Sequence, residues 1–195
     1  MNNFEQLKFP ALVEQIYQRS LAAGFGMASE PLTGSLLRAL AASKPRGKFL
    51  EIGTGTGYGT AWILDGMDQD SRLESVDNDP QVQAIAQQYL GTDHRLSLHL
   101  QDALQFLATR TVNTYDFIFA DALPGKFERF DLTLGLLKVG GLLVLDDLLP
   151  QPNWPADHAP KVERLFQQLD LLTGYHVSRL HWSSGIVLLT RLSPA

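Results

Sequence analysis

The side chains able to do chemistry gather where extended apolar segments give way to turns. Leu50-Glu51-Ile52 runs into Gly53-Thr54-Gly55-Thr56-Gly57-Tyr58-Gly59, and Asp77 closes the next apolar segment, 24 residues after Gly53. Glycines in such a loop permit a tight turn and let a ligand lie against the backbone, and the helix that follows adds inward-facing N–H groups. A carboxylate at the tip of the second strand can receive both hydroxyls of a ribose. Together these residues point to a bound nucleoside. The loop reads G-x-G-x-G, and none of its registers fits the G-x-G-x-x-G/A of a dinucleotide site, nor is there a G-x-x-x-x-G-K-[ST] phosphate loop. With Glu51 ahead of it, the loop suits an adenosine carrying an amino-acid tail, whose ammonium Glu51 can face.

A second constellation is acidic. Asp121 ends the segment Tyr115–Ala120, and Asp146 and Asp147 end the segment Gly141–Leu145. Neighbouring parallel strands would crowd these three carboxylates at one sheet edge, where unpaired anions repel and resist burial. A cation resolves that conflict, and an all-oxygen set points to Mg²⁺, Mn²⁺ or Ca²⁺ rather than zinc. The alternative is that Asp146 or Asp147 caps a helix or pairs with a lysine, without metal. After that strand comes the proline-dense stretch Pro150–Pro160, where Trp154 can stack on an acceptor and His158 can serve as base or metal neighbour. Equally, the prolines stiffen a surface loop, Trp154 pins it, and Asp157 caps the next helix.

The elements that would position these groups are legible from periodicity. Val13, Ile16, Tyr17 and Leu21 form one helical stripe and Leu32, Leu36, Leu37 and Leu40 a second, with Pro31 in a first turn behind Ser29 and Glu30 as capping candidates. Residues 1–45 therefore read as a helical segment, and residues 46–195 as the α/β core of one domain. From Lys48 strands and helices alternate: strands at 49–52, 72–76, 96–100, 115–120 and 142–145, and helices over 58–64, 80–89, 103–107, 127–137 and 162–169. Gly140-Gly141 ends the fourth of these helices, and two late strands, 175–181 and 185–192, flank Trp182-Ser183-Ser184 as a hairpin. Repeated β-α units predict a doubly wound, Rossmann-like, mostly parallel seven-stranded sheet, with helices on both faces and an antiparallel strand from the C-terminal hairpin. Its ligand belongs at the carboxyl ends of the strands, where Gly53, Asp77, Asp102, Asp121 and Asp146 all fall.

Composition narrows the classes. The 195 residues include 21 acidic and 16 basic side chains, a net charge of −5, which offers no field for a nucleic-acid backbone. There is no cysteine, hence no disulfide, thiolate metal site or cysteine nucleophile. Met1-Asn2-Asn3-Phe4-Glu5 carries no secretory signal pattern, and no apolar run approaches the roughly 20 residues of a membrane span. The expectation is a cytoplasmic protein with a small-molecule acceptor and neither nucleic acid nor membrane as partner.

Through Leu50–Tyr58 and Asp77 the chain resembles the class I S-adenosylmethionine-dependent methyltransferases. More narrowly, it is similar to the catechol and caffeoyl-CoA O-methyltransferase group. Met27-Ala28-Ser29 with Gly34 resembles that group's cofactor-covering segment, Gln101-Asp102-Ala103 its adenine-side turn, and Asp121 with Asp146-Asp147 its metal triad. The resemblance covers about residues 12–192. It implies S-adenosylmethionine bound by Met27, Ala28, Ser29, Glu51, Gly53, Thr54, Gly55, Gly57, Tyr58, Gly59, Asp77, Asn78, Asp102, Ala103 and Asp121. It also implies a divalent cation on Asp121, Asp146 and Asp147, and methyl transfer to a phenolic or catechol-like hydroxyl.

Two departures stand out. Asp147 occupies the place of the group's Asn, which keeps an oxygen ligand and adds charge. Pro124 occupies the place of its lysine base, three residues after Asp121, while Lys126 lies two further on, where the Pro124-Gly125 turn can return its amine to the site. Lys126 and Asp121 are thus the candidate catalytic residues, with Lys126 otherwise a solvated lysine. Apolar positions on the N-terminal helices offer a homodimer face, as that group often forms. Metal-independent transfer, a catalytically silent S-adenosylmethionine-binding module and, more remotely, a nicotinamide-dependent oxidoreductase remain open alternatives.

Overall fold

The computed structural model describes residues 7–152 and 154–193. The expectation for Met1–Glu5 and the Asn153 position of the proline-dense loop lie outside the described residues. Among these residues are seven strands and seven helices: α1 Ala11–Ala22, α2 Pro31–Ala42, β1 Lys48–Ile52, α3 Tyr58–Gly66, β2 Arg72–Asp77, α4 Pro80–Leu90, β3 Leu96–Leu100, α5 Ala103–Ala108, β4 Tyr115–Ala120, α6 Phe130–Leu136, β5 Leu137–Leu145, α7 His158–Asp170, β6 Tyr175–Leu180 and β7 Ile186–Arg191.

The strands form one sheet in the order β3-β2-β1-β4-β5-β7-β6. The first five are mutually parallel, and β7 runs antiparallel to both β5 and β6. The hairpin strand β7 is therefore inserted beside β5, and β6 forms the edge. The order of winding across the sheet reverses between β1 and β4: the chain moves outward through β2 and β3, then returns to β4 on the other flank. That switch point opens a crevice above the carboxyl ends of β1 and β4.

Side-chain alternation along the strands divides the core in two. Leu50, Ile52, Ile118, Ala120, Leu143 and Leu145 pack with α5, α6 and α7, whereas Phe49, Phe117, Phe119 and Val144 pack with α1, α2 and α3. Both faces are covered, so the central strands are apolar nearly throughout. Each fully buried Phe or Leu contributes ~1.5–3 kcal/mol through loss of water contact. α2 and α3 approach closely at Gly34, where an added Cβ would lie 2.2 Å from Trp62 Nε1. A bare backbone is required there.

Local signals account for most element ends. Pro31 and Pro80 occupy first turns, and Asp79 caps α4 by accepting from Gln81 N at 2.8 Å and Val82 N at 3.2 Å. Four expectations are corrected. The helix expected over Phe127–Leu137 is α6, Phe130–Leu136, because Gly125 (φ +77°) and Arg129 (φ +52°) break the chain direction before it. Leu137 already belongs to β5, so Gly140-Gly141 does not end a helix. It lies in a bulge, where two steps along β4, Tyr115 to Phe117, match five along β5, Leu137 to Leu142. Neither Ser29 nor Glu30 caps α2 through its side chain, and Asp157 accepts no helix N–H, pairing instead with Lys161 at 2.7 Å.

Candidate active site

The register of β1, β4 and β5 builds the site. Ile52 lies opposite Ala120 and Ala120 opposite Leu145, so Gly53, Asp121 and Asp146 leave their strands side by side. Asp121 N donates to Ile52 O at 2.9 Å, and a Cβ at Gly53 (φ +101°) would come within 3.0 Å of Asp121 O. The glycine loop must therefore be glycine at this point. Above these strand ends lies a cavity of about 540 Å³.

Along the β1–β2 side, Gly53, Thr54, Gly55, Tyr58, Gly59, Asp77 and Asn78 line the cavity. Asp77 tethers the glycine loop: its Oδ2 accepts from Gly55 N at 2.7 Å and its Oδ1 from Asp79 N at 2.9 Å. Gly57 does not line the cavity. At φ +87° it is the N-cap of α3, and a Cβ there would meet Ala86 at 2.8 Å. Asp102 also lies off the cavity, capping α5 through Gln105 N at 2.9 Å, while Ala103 lines an adjoining pocket of about 350 Å³ with Asp77, Asn78 and Leu123.

Glu51 points into the cavity from β1 and is 1% exposed. Its Oε2 accepts from Thr60 Oγ1 and from Ser75 Oγ, the latter at 2.6 Å, whereas Oε1 is buried with no partner. Burial pushes its carboxyl from 4.5 up to about 8, against the lowering effect of the two hydroxyls. A buried acceptor without a donor costs free energy in the empty protein, so Oε1 marks the place of a donor or cation supplied from outside. Thr60 and Ser75 were not anticipated. Thr60 was visible one helical turn inside the glycine loop's helix, but Ser75 reaches Glu51 only because β2 pairs with β1.

The segment after α1 closes the cavity from above. Phe25 packs its ring on Gly55, Met27 and Ala28 line the opening, and Ser29 Oγ donates to Asp121 Oδ2 at 3.0 Å. Met27 is 77% exposed and so has its surface available to a ligand in the cavity.

At the far end, Lys126 is 2% exposed. Gly125 turns the chain, with its N–H on Glu128 O at 2.7 Å and its carbonyl held by Thr133 Oγ1 at 2.7 Å, and the lysine side chain returns beneath the strand ends. Lys126 Nζ donates to Asp146 O at 3.0 Å, stands 3.9 Å from Asp121 Oδ1 and lies 5.1 Å from the centre of the Phe127 ring. Asp146 is 2% exposed, and its Oδ1 accepts from Ser184 Oγ and from Asp147 N. Ser184, 38 residues away in the β6–β7 turn, carried no signal in the sequence. Burial raises the Asp121 carboxyl well above its ordinary value, with the nearby Asp146 charge adding to it and Lys126 opposing it. Burial likewise raises Asp146 to about 6.

The expected ligand cage of Asp121, Asp146 and Asp147 is not formed. Among the described residues no three Asp, Glu or His side chains are grouped to hold an ion. Two of the three carboxylates are already engaged, Asp121 by Ser29 and Lys126 and Asp146 by Ser184 and the Asp147 N–H, while Asp147, at φ +65°, lines the same cavity. A divalent ion placed among them would face a buried ammonium at contact distance. The donor set as arranged does not fit it.

The wall of this end is aromatic. Trp154 and His158 stack with ring centres 4.2 Å apart, and Phe127 meets His158 edge-on at 5.2 Å. His158 is 7% exposed and its Nε2–H donates to Asp147 O at 3.1 Å, which holds the ring against the loop.

The sequence profile of the family described as O-methyltransferase matches residues 5–191. A protein from Mycobacterium sp. (strain KMS) carrying the O-methyltransferase name is 34% identical over 143 residues, covering 69% of this chain and 63% of that protein. A protein named catechol O-methyltransferase, from Niastella koreensis, is 29% identical over 126 residues, covering 61% of this chain and 57% of its own length. This chain thus spans a little under two thirds of the length of these curated relatives. Among solved structures, an O-methyltransferase of tomaymycin synthesis from Streptomyces achromogenes, in complex with SAM, superposes with a TM-score of 0.82 at 23% identity, covering 96% of this chain and 92% of that one. The last of these establishes the likeness of fold.

Proposed function

The chain belongs to the O-methyltransferase family, and on that premise we propose that it transfers a methyl group from S-adenosylmethionine to a hydroxyl of a small, phenol-like acceptor. The observation that carries this reading is the buried, unpartnered Oε1 of Glu51 in a cavity floored by the glycine loop. An amino-acid ammonium on an adenosine is the cation that satisfies it, with the ribose hydroxyls on Asp77 at the neighbouring strand tip. The Mycobacterium relative's name and the cofactor bound in the Streptomyces protein support the same assignment.

When bound, the cofactor supplies an electrophilic methyl on a sulfonium. The chain's own residues do the rest. Glu51 and the loop fix the amino-acid tail, Asp77 fixes the sugar, and the segment Phe25–Ser29 covers the opening and excludes water. Trp154 and Leu123 hold the acceptor ring beside Asp121. Asp121 would take the hydroxyl proton, freeing an oxygen lone pair for the methyl that the cofactor would supply, its sulfur keeping the S–CH₃ electron pair. Alignment of oxygen, carbon and sulfur by these walls supplies much of the acceleration.

Calorimetric titration of the full chain with S-adenosylhomocysteine tests the reading. Micromolar binding that Asp77→Ala weakens is expected. A chain that ignores S-adenosylhomocysteine, or binds it unaltered by Asp77→Ala, overturns it.

A further inference from the structure

Resting on that reading of the site, we propose that the Lys126 ammonium is the resident cation of the acceptor end, filling the place a divalent ion would take, and that the acceptor is consequently held through one oxygen rather than an adjacent pair. The first ground is charge. Asp121 and Asp146 converge at buried strand ends, an arrangement that demands a positive partner, and Lys126, itself 2% exposed, is the basic side chain that reaches them. The second is the donor count. An ammonium has three N–H groups. One is spent on Asp146 O at 3.0 Å, one is set against the Phe127 ring, whose centre lies 5.1 Å from Nζ, and the one facing Asp121 across 3.9 Å remains for a ligand.

The 3.9 Å gap is itself informative. It is too long for a direct hydrogen bond, yet one oxygen at about 2.8 Å from each group spans it. Such an oxygen accepts from Lys126 and donates its proton to Asp121, which is the orientation a hydroxyl needs to become a nucleophile. A divalent ion binds six or more oxygens and can chelate two neighbouring hydroxyls at once. The ammonium has no second free donor, so an adjacent hydroxyl gains nothing here. Ser184 and the Asp147 N–H complete the argument, since they already occupy Asp146 Oδ1.

The test needs no knowledge of the natural acceptor. Wild-type protein and Lys126→Met, each checked for folding by circular dichroism, are titrated with Mn²⁺ by water-proton relaxation, with S-adenosylhomocysteine affinity measured on the same samples. Wild type is expected to bind Mn²⁺ no more tightly than about 1 mM, and Lys126→Met to gain at least ~tenfold, because its carboxylates are left without a cation. Stoichiometric micromolar Mn²⁺ binding by wild type that Asp146→Asn weakens overturns the proposal, and so does a folded Lys126→Met that binds no better than wild type. Should that variant not fold, turnover decides. Matched phenols and catechols assayed in EDTA are expected to differ by less than ~threefold in kcat/KM, while a catechol preference above ~tenfold that EDTA removes overturns it. Mn²⁺ binding alongside intact S-adenosylhomocysteine binding sinks only this inference, whereas loss of S-adenosylhomocysteine binding sinks the reading beneath it.

Discussion

Replacing Glu51 by Gln should make the empty protein more stable and the liganded one harder to form. In the folded chain burial holds this carboxyl at about 8, against 4.5 when exposed. The folded state therefore keeps a proton that the unfolded chain releases. Its contribution is full below pH 4.5 and is lost as the pH climbs toward 8, at ~1.4 kcal/mol for each pH unit between the two values. By pH 7 that amounts to about 3 kcal/mol, and from pH 6 to pH 8 the further loss is ~2 kcal/mol. Gln has no proton to lose and can still bond to Ser75 and Thr60, so the loss disappears in the variant. Urea denaturation of both proteins at pH 6, 7 and 8 isolates the effect, because every other titrating group cancels in the difference. The stability advantage of Glu51→Gln should widen by ~2 kcal/mol across that range. Affinity for S-adenosylhomocysteine should move the other way, falling ~10- to 100-fold through loss of a charge-assisted bond. In wild type, binding at pH 7 should also release nearly one proton, read as a buffer-dependent enthalpy. A stability difference flat in pH together with unchanged affinity would refute both the buried-acid argument and the placement of the ammonium.

Asp77→Ala removes the tether to Gly55 and Asp79 and, on the proposed reading, two ribose contacts, so S-adenosylhomocysteine affinity should drop by ~2–4 kcal/mol in calorimetry; an unchanged constant takes Asp77 out of the site. Gly34→Ala forces a methyl to within 2.2 Å of the Trp62 ring, and chemical denaturation should show a loss of ~1–3 kcal/mol, with little change at pH extremes; an unaffected stability would mean α2 slides freely over α3. Trp154→Ala should raise acceptor KM by ~tenfold, the worth of one aromatic face, while leaving S-adenosylhomocysteine affinity within twofold. Equal weakening of both ligands would place Trp154 in the loop's folding instead.

The sequence by itself determined whatever depends on neighbours along the chain. Strand and helix periodicity, the proline and aspartate at the start of α4, and the glycine loop followed by Asp77 are local patterns, each set by backbone freedom or burial within one β-α unit. They were enough to place the fold and to bring the glycine loop and Asp77 to one end of the cavity. The acceptor end was different. Ser29 offers the same hydroxyl to a helix cap as to a carboxylate, and only the packing of the N-terminal segment across β4 sends it 92 residues away to Asp121. Lys126 reads either as an amine returned to the site by the Pro124-Gly125 turn or as a solvated lysine, and only the packing under β5 separates the two, while Ser184 is silent until β7 is inserted beside that strand. From the chain alone, three aspartates at adjoining strand ends called for a cation. Which cation answers them depended on groups brought together from distant turns, because electrostatic partnership follows distance in space, which spacing along the sequence does not encode.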